Sequence, residues 1–303
     1  MSIPLSFTLA APRQLDLGRT LGSLRLGVSD PCWRVDAAAG AWMWATRTPV
    51  GPLTMRLRLV PPDDGGETAT VAVDAWGEGA EWAEVIAPAV AGTLDHPEAL
   101  ATEHPGLRRL ADRFAGFRLA RSARVADAAI AGVCARGVSA FEAARSWALL
   151  VEAMGDDAPG PGGLRLPAAP RRVSAAEPYD LHVMGLEQGR ADEVRRIASH
   201  ANRLELSGSE PGSAVIDRLR GIAGLGSDAI DHARSVALGH PDAVPVVDAH
   251  HVAALVRVLR GGDASGTPHL GDLLEPFRPQ RGRVVRLIGL AASDGDHAGG
   301  ATP

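Results

Sequence analysis

The sequence predicts an α+β protein, with a small N-terminal antiparallel sheet domain followed by an all-helical region. Leu53, Met55, Leu57 and Leu59 alternate with Thr54, Arg56 and Arg58, and Ala69, Val71, Val73 and Ala75 repeat the period of two that a half-buried strand requires. After His104 such alternation nearly vanishes, and apolar residues recur at helical spacing, as in Val252, Leu255, Val256 and Leu259. The chain has 303 residues, enough for two or three modest domains with cores of their own.

Phe7 to Ala10 reads as a first strand and Leu15 to Leu24 as a short helix. Trp33 to Asp36 and Ala41 to Thr46 form a hairpin across an Ala-Ala-Ala-Gly turn, and the Pro61 to Gly66 run turns between the two alternating strands. A helix from Glu81 to Val90 carries Trp82, Val85, Ile86 and Val90 on one stripe. Five of the six tryptophans (Trp33, Trp42, Trp44, Trp76 and Trp82) lie in this third of the chain. On alternating strands they are read as core in preference to a base-stacking surface.

Helices follow at Pro105 to Phe114 and Ala126 to Arg136. Ser139-Ala140-Phe141-Glu142 is a capping box that opens a helix to Met154, burying some combination of Phe141, Trp147, Leu150 and Val151. Gly155 to Pro170 is a Pro/Gly loop, short turns surround Tyr179 and His182, and a helix runs from Leu186 to Ala201. A Ser207 to Ser213 loop leads to a helix end at Val215, Ile216 and Leu219, and Gly261 to Pro268 is a further loop. Val284, Leu287, Ile288 and Ala291 mark the last helix. The expected domains are 1–104, 105–292, and a disordered tail over 293–303.

Composition excludes several classes. No apolar run has transmembrane length and the N-terminus lacks the basic region of a signal peptide, so a cytoplasmic protein without a membrane partner is expected. Two cysteines, Cys32 and Cys134, cannot supply a disulfide framework, a four-cysteine zinc site or a Cys-ligated iron–sulfur cluster. All 31 basic residues are arginine, so chemistry that needs a lysine Schiff base is excluded. A net charge of −5 argues against a globally basic coat for nucleic acid, although Arg108 to Arg124 and Arg278 to Arg286 are local clusters. Each arginine in them is at least as plausible on a solvated helix face as on a phosphate.

The chain is organised around Leu219 to Arg260. Gly221-Ile222-Ala223-Gly224-Leu225-Gly226 is a glycine-punctuated turn in which Gly224 and Gly226 suit positive φ and close backbone approach. Ser227 then opens a helix to about Leu238 whose free N–H groups form an anion seat. The run Val244 to Val247 is followed by Asp248, placed to start the next helix. An aspartate there is most ordinarily an N-cap, but a helix N-terminus also keeps a carboxylate ionised.

These residues resemble the helix-hairpin-helix DNA glycosylases, most closely the DNA-3-methyladenine glycosylase II (AlkA-like) family, whose pattern is a glycine hairpin, a helix and an essential aspartate opening the next helix. Placing Ile222 to Gly226 on the hairpin sets Asp248 at the catalytic position, whereas a competing register over Leu219 to Ala223 lengthens the spacing. Blocks such as HPGLRRLADRFAGFRLARSARV and LLEPFRPQRGRVVRLI carry the resemblance over most of residues 105–290.

The resemblance implies a helix-hairpin-helix glycosylase region and a monofunctional, monomeric DNA glycosylase of base-excision repair. Its partner would be double-stranded DNA with damaged bases, and its substrates alkylated purines, with Asp248 catalytic. It places Asp228, Arg136, Tyr179, His182 and Trp147 at the base pocket, and Gly224, Gly226, Ser227, Gly137, Arg281 and Arg283 at the DNA. It implies no cofactor beyond a monovalent cation on the carbonyls of Arg220, Ile222 and Leu225. Three residues depart from the pattern. Arg136 replaces a glutamine, Gly137 replaces a bulky wedge, and Asp228 stands where tryptophan or a lyase's lysine is usual. They keep two alternatives open: a DNA-binding paralogue without catalysis, or a glycosylase of altered specificity. His250 and His251 suggest helix surface more than a metal pair.

Overall fold

A computed structural model describes residues 3–62, 66, 68–206, 210–261 and 269–299. The chain begins with β1 (Leu5–Pro12) and α1 (Leu17–Gly22), then β2 (Trp33–Asp36), β3 (Ala41–Thr48), β4 (Gly51–Val60) and β5 (Thr68–Trp76). All strands pair antiparallel in the order β1-β5-β4-β3-β2, which closes the N-terminal strand onto the last one. The alternation is realised as read: Leu53, Met55 and Leu57 of β4 and Val71 and Val73 of β5 are buried, while Arg56 and Arg58 face out. Trp33 stacks on Trp44 with ring centroids 5.5 Å apart, and both are core, as is Trp76. Parts of the Pro61–Gly66 turn lie outside the described residues.

The helices follow as α2 (Trp82–Val90), α3 (Pro105–Arg113), α4 (Val125–Ala135), α5 (Ala140–Met154), α6 (Pro170–Ala175) and α7 (Pro178–Val183). Then come α8 (Gln188–Ser199), α9 (Gly212–Arg220), α10 (Ser227–Val236), α11 (Ala249–Arg260), α12 (Leu270–Leu274) and α13 (Arg281–Gly299). They form two groups. Helices α4, α5, α8 and α10 share one hydrophobic core with the sheet and α2, through residues such as Leu53, Ile86, Val133, Leu150 and Ala233. Helices α3, α11, α12 and α13 enclose a second core of Leu107, Leu255, Leu274, Val284 and Ile288. The largest core therefore crosses the expected boundary at residue 104. The buried pair Arg283–Asp95, at 2.6 Å, ties α13 back to the N-terminal third.

Several local expectations are corrected. Val85 is 74% exposed because α2 buries its alanine face, Ala83 and Ala87, along with Ile86 and Val90. Phe141 is 77% exposed in the first turn of α5, where the buried stripe starts only at Ala143. The residues around Tyr179 and His182 are a short helix, α7. The expected disordered tail is the end of α13 as far as Gly299, and Asp294 there pairs with Arg19 and Arg113, each at 3.0 Å. Helix α1 stops at Gly22, short of Leu24, because Ser23 already turns back onto the carbonyls of Arg19 and Thr20. That frees residues 23–26 to line the site described next. Residues 207–209 and 262–268 of two expected loops lie outside the described residues.

Candidate functional site

Helix α9 ends at Arg220, and the chain turns through Gly221 to Leu225 before Gly226 caps α10. Leu219 is still helical and fully buried, which places the turn in the Ile222 to Gly226 register. Gly224 has φ +76°, the left-handed region where a side chain strains the backbone. Gly226 has φ −72°, so its expected positive φ is not found; an N-cap takes extended backbone. What Gly226 provides is access. Its N–H donates to Glu193 Oε1 of α8 at 2.8 Å, and a Cβ there would stand 2.5 Å from Arg136 Nη1. Arg136 pairs with the same carboxylate at 2.6 Å, and Arg196 Nη1 donates to the Ala223 carbonyl at 2.9 Å. Two arginines and a buried glutamate therefore hold the hairpin on α8.

Asp248 is the N-cap of α11, with Oδ1 accepting from the His251 N–H at 2.9 Å. Its second oxygen accepts the Ala140 N–H at 3.2 Å, from the first turn of α5. That turn is fixed by the capping box, in which Glu142 Oε2 accepts from the Ser139 N–H at 2.9 Å. Two helix N-termini thus converge on one carboxylate. Partial burial pushes the Asp248 pKa up, but the two amides and the neighbouring histidines outweigh it, and the carboxyl sits below its usual range. Half-buried and ionised, it is an acceptor with fixed orientation.

Val247 and His251, which flank Asp248 in the chain, line a cavity of about 310 Å³ between the two helical groups; Asp248 itself is not in its lining. One wall is residues 23–26, another is His232 and Val236 of α10, and Pro245 to Val247 lead from it to Asp248. The remaining wall is His251 and the face of α13 from Arg286 to Ser293. Gly132 of α4 lets α10 approach, since a Cβ there would be 2.7 Å from His232 Cβ. Segment 23–26 is held by Asp30, which accepts from the Leu26 N–H at 3.1 Å and from Trp147 Nε1 at 3.0 Å.

His232 is buried, and Nδ1 accepts the Val246 N–H at 3.2 Å, which leaves the ring proton on Nε2. Burial and the nearby Arg286 push its pKa down to about 3, so it is neutral. His251 donates from Nε2 to the Val285 carbonyl at 2.9 Å, and burial lowers its pKa too. Among the described residues no cluster of three or more His, Cys, Asp or Glu is placed to hold a metal ion.

The expected pocket residues scatter. Asp228 is exposed on the first turn of α10, outside the cavity lining, and His232 one turn further on takes the inward position. Tyr179, 74% exposed, and His182 lie on the outer face of α7, away from the lining. Trp147 is buried behind the cavity against Asp30, in a separate void of about 50 Å³. Arg136 is committed to Glu193.

The expected DNA contacts divide. Gly137 (φ +71°), Ser227 and the hairpin are on the surface beside Asp248's helix starts. Arg281 instead grips Asp242 through Nε at 2.9 Å and Nη2 at 2.7 Å, and Arg283 is buried on Asp95. These guanidiniums fasten α13 to the fold; Arg283 is too buried to meet a phosphate, whereas Arg281 keeps part of its side chain exposed. Of the carbonyls expected around a cation, that of Arg220 ends α9, and those of Ile222 and Leu225 lie in the turn.

Sequence reasoning missed Arg286, His232, His251 and residues 23–26. The available signal was Arg286 itself, a charge set within the apolar stripe of Val284, Leu287 and Ile288.

No protein-family model matches the chain, and no curated protein matches it. Solved structures do. A 3-methyladenine DNA glycosylase from Archaeoglobus fulgidus is 19% identical with a TM-score of 0.69, over 95% of this chain and 98% of that one. MBOgg1 in complex with a low-affinity DNA ligand is 15% identical with a TM-score of 0.67, over 98% of this chain and 100% of that one. The Clostridium acetobutylicum 8-oxoguanine glycosylase/lyase, bound to DNA with cytosine opposite 8-oxoguanine, is 12% identical with a TM-score of 0.67, over 98% and 100%. The chain shares the fold of these DNA glycosylases over at least 95% of its length.

Proposed function

We propose that this protein is a monofunctional DNA glycosylase that removes a damaged base from duplex DNA by hydrolysis. The observation that carries the reading is Asp248, ionised at the converging starts of α5 and α11 and next to a cavity large enough to receive a flipped base. In the proposed reaction the hairpin and the exposed starts of α5 and α10 take the phosphate backbone, and the target nucleotide swings into the cavity. As the N-glycosidic bond breaks, its electron pair leaves with the base and positive charge grows on the sugar. The fixed carboxylate of Asp248 stabilises that charge, water adds to the sugar carbon, and the proton it releases ends on a departing neutral base or, for a cationic base that leaves neutral, passes to solvent. No lysine is present to replace water with a Schiff base, which supports hydrolysis without strand cleavage.

Flipping leaves a gap in the stack. Gly137 has no side chain to fill it, and Phe141 does: it is exposed in the same turn whose Ala140 N–H reaches Asp248. By the sequence resemblance the substrates are alkylated purines. A second reading, DNA binding without catalysis, is favoured by one observation: Asp228, with no ion pair among the described residues, puts a negative charge on the first turn of α10, where phosphate would sit. A base-release screen on duplexes carrying alkylated, deaminated and oxidised bases separates the two. Release of any damaged base from duplex DNA supports catalysis, and tight binding with no release from every substrate sinks it.

A further inference from the structure

The cavity is rich in hydrogen-bond donors and carries a cation with no counter-charge. Arg286 donates from Nη1 to the Ser23 carbonyl at 3.1 Å and from Nη2 to Ser235 Oγ at 2.9 Å, both neutral acceptors. Its Nε is buried without a partner, and among the described residues no carboxylate is paired with it. Protein surrounds it closely enough that burial and Arg283 lower its pKa to about 10, and the surface it keeps is on the cavity it lines. It remains charged at neutral pH. His232 adds a Nε2–H that has no described acceptor, and no aspartate or glutamate among the described residues lines the cavity. Arg25, the other cation on the wall, differs in having Asp30 within electrostatic reach. Phe117 is the only Phe, Tyr or Trp in the lining, so there is no aromatic box of the kind that holds cations.

A buried guanidinium short of acceptors costs free energy until an oxygen reaches it, and it repels a second cation through a poorly screening medium. We infer that the cavity selects an uncharged base that presents a carbonyl oxygen to Arg286 and His232, and rejects bases that alkylation has made cationic. This rests on the glycosylase reading but replaces the cationic alkylated purines that the sequence resemblance implies with neutral lesions. In that reading Asp248 faces the sugar, so its charge does not neutralise Arg286.

The test compares duplexes that each carry one hypoxanthine, 8-oxoguanine or 7-methylguanine. The last also has a carbonyl oxygen but is cationic as a nucleoside. Competitive binding to the Asp248→Asn protein is measured together with single-turnover release by the unaltered protein. The expected result is a preference of roughly tenfold or more for the neutral lesions over 7-methylguanine. Arg286→Met should erase it, and Arg286→Gln, which keeps donors but not charge, should admit 7-methylguanine while still holding hypoxanthine. Thermal melting checks that each variant folds; should Arg286→Met not fold, Arg286→Gln alone decides. Equal binding of 7-methylguanine and hypoxanthine, or a preference unchanged in a folded variant, overturns the inference. A binding preference without release of any base defeats the glycosylase reading and leaves the selectivity standing. Release without preference does the reverse.

Discussion

The hairpin face and the cavity wall use arginine in opposite ways. At the hairpin, Arg136 pairs with Glu193, which also accepts the Gly226 N–H, and Arg196 donates to the Ala223 carbonyl, so both guanidiniums are spent on holding the turn. In the cavity, Arg286 sits on neutral acceptors and its charge is unopposed. One turn earlier on the same helix, Arg283 has Asp95 at 2.6 Å. Arg136 and Arg283 come with their acids; Arg286, without one and lining an open volume, is available to something that enters.

The largest expected effect breaks the region where both faces meet. Asp248→Asn keeps an oxygen for the His251 amide but removes the charge, and single-turnover base release should fall by roughly a thousandfold while duplex binding changes by no more than a few-fold. Unchanged release would move the chemistry elsewhere.

On the cavity side, His232 makes stability depend on pH. The unfolded histidine takes up a proton below its ordinary value of 6.5, whereas the folded one does so only near 3. In that window the unfolded state binds more protons, so stability falls as pH drops, by up to about 1.4 kcal/mol per pH unit from this group. His240 and His251 act in the same direction, so the comparison is between the parent and His232→Gln. Denaturant unfolding from pH 7 to pH 4 should show a shallower decline in the variant, and parallel curves would refute the assignment.

On the hairpin side, Glu193→Gln leaves Arg136 without a counter-ion and weakens the tie to Gly226. Unfolding in urea should show a loss of about 2 kcal/mol, with weaker binding to undamaged duplex as well. A loss of affinity without a loss of stability would mean Glu193 acts on DNA directly.

The smallest effect concerns Phe141. Its removal to Ala should leave the melting temperature unchanged, since the ring is exposed, and slow release from duplex by roughly tenfold with little effect on a single strand. An equal effect on both strands would show that the ring does not fill the stack.

Much of the architecture was legible because periodicity reports burial. The alternation in β4 and β5, the capping box at Ser139 and the Asp248 cap are local patterns with local causes, and each is found where the sequence places it. Of the candidate site, only the Asp248 cap and the hairpin turn were legible as structure. The cavity wall is assembled from residues 23–26, α10, Pro245 to Val247 and α13, segments more than two hundred residues apart at the extremes, and no spacing rule connects them. Arginine also hid its roles in sequence. Arg281 and Arg283 look like a basic patch until Asp242 and Asp95 are seen opposite them, and an ion pair between distant segments leaves no periodic trace. Phe141 misled for the converse reason: a helix stripe predicts which face is apolar, but not that its first aromatic stands clear of the core.

Asp248 joins Ala140 and His251, residues on separate helices that pack into separate cores. It is therefore a latch between the two helical groups. Any spreading of α5 away from α11 strips one of its two amide donors, and a carboxylate that loses a donor holds its proton more tightly. The spacing of the two helix starts and the proton affinity of Asp248 are thus one variable.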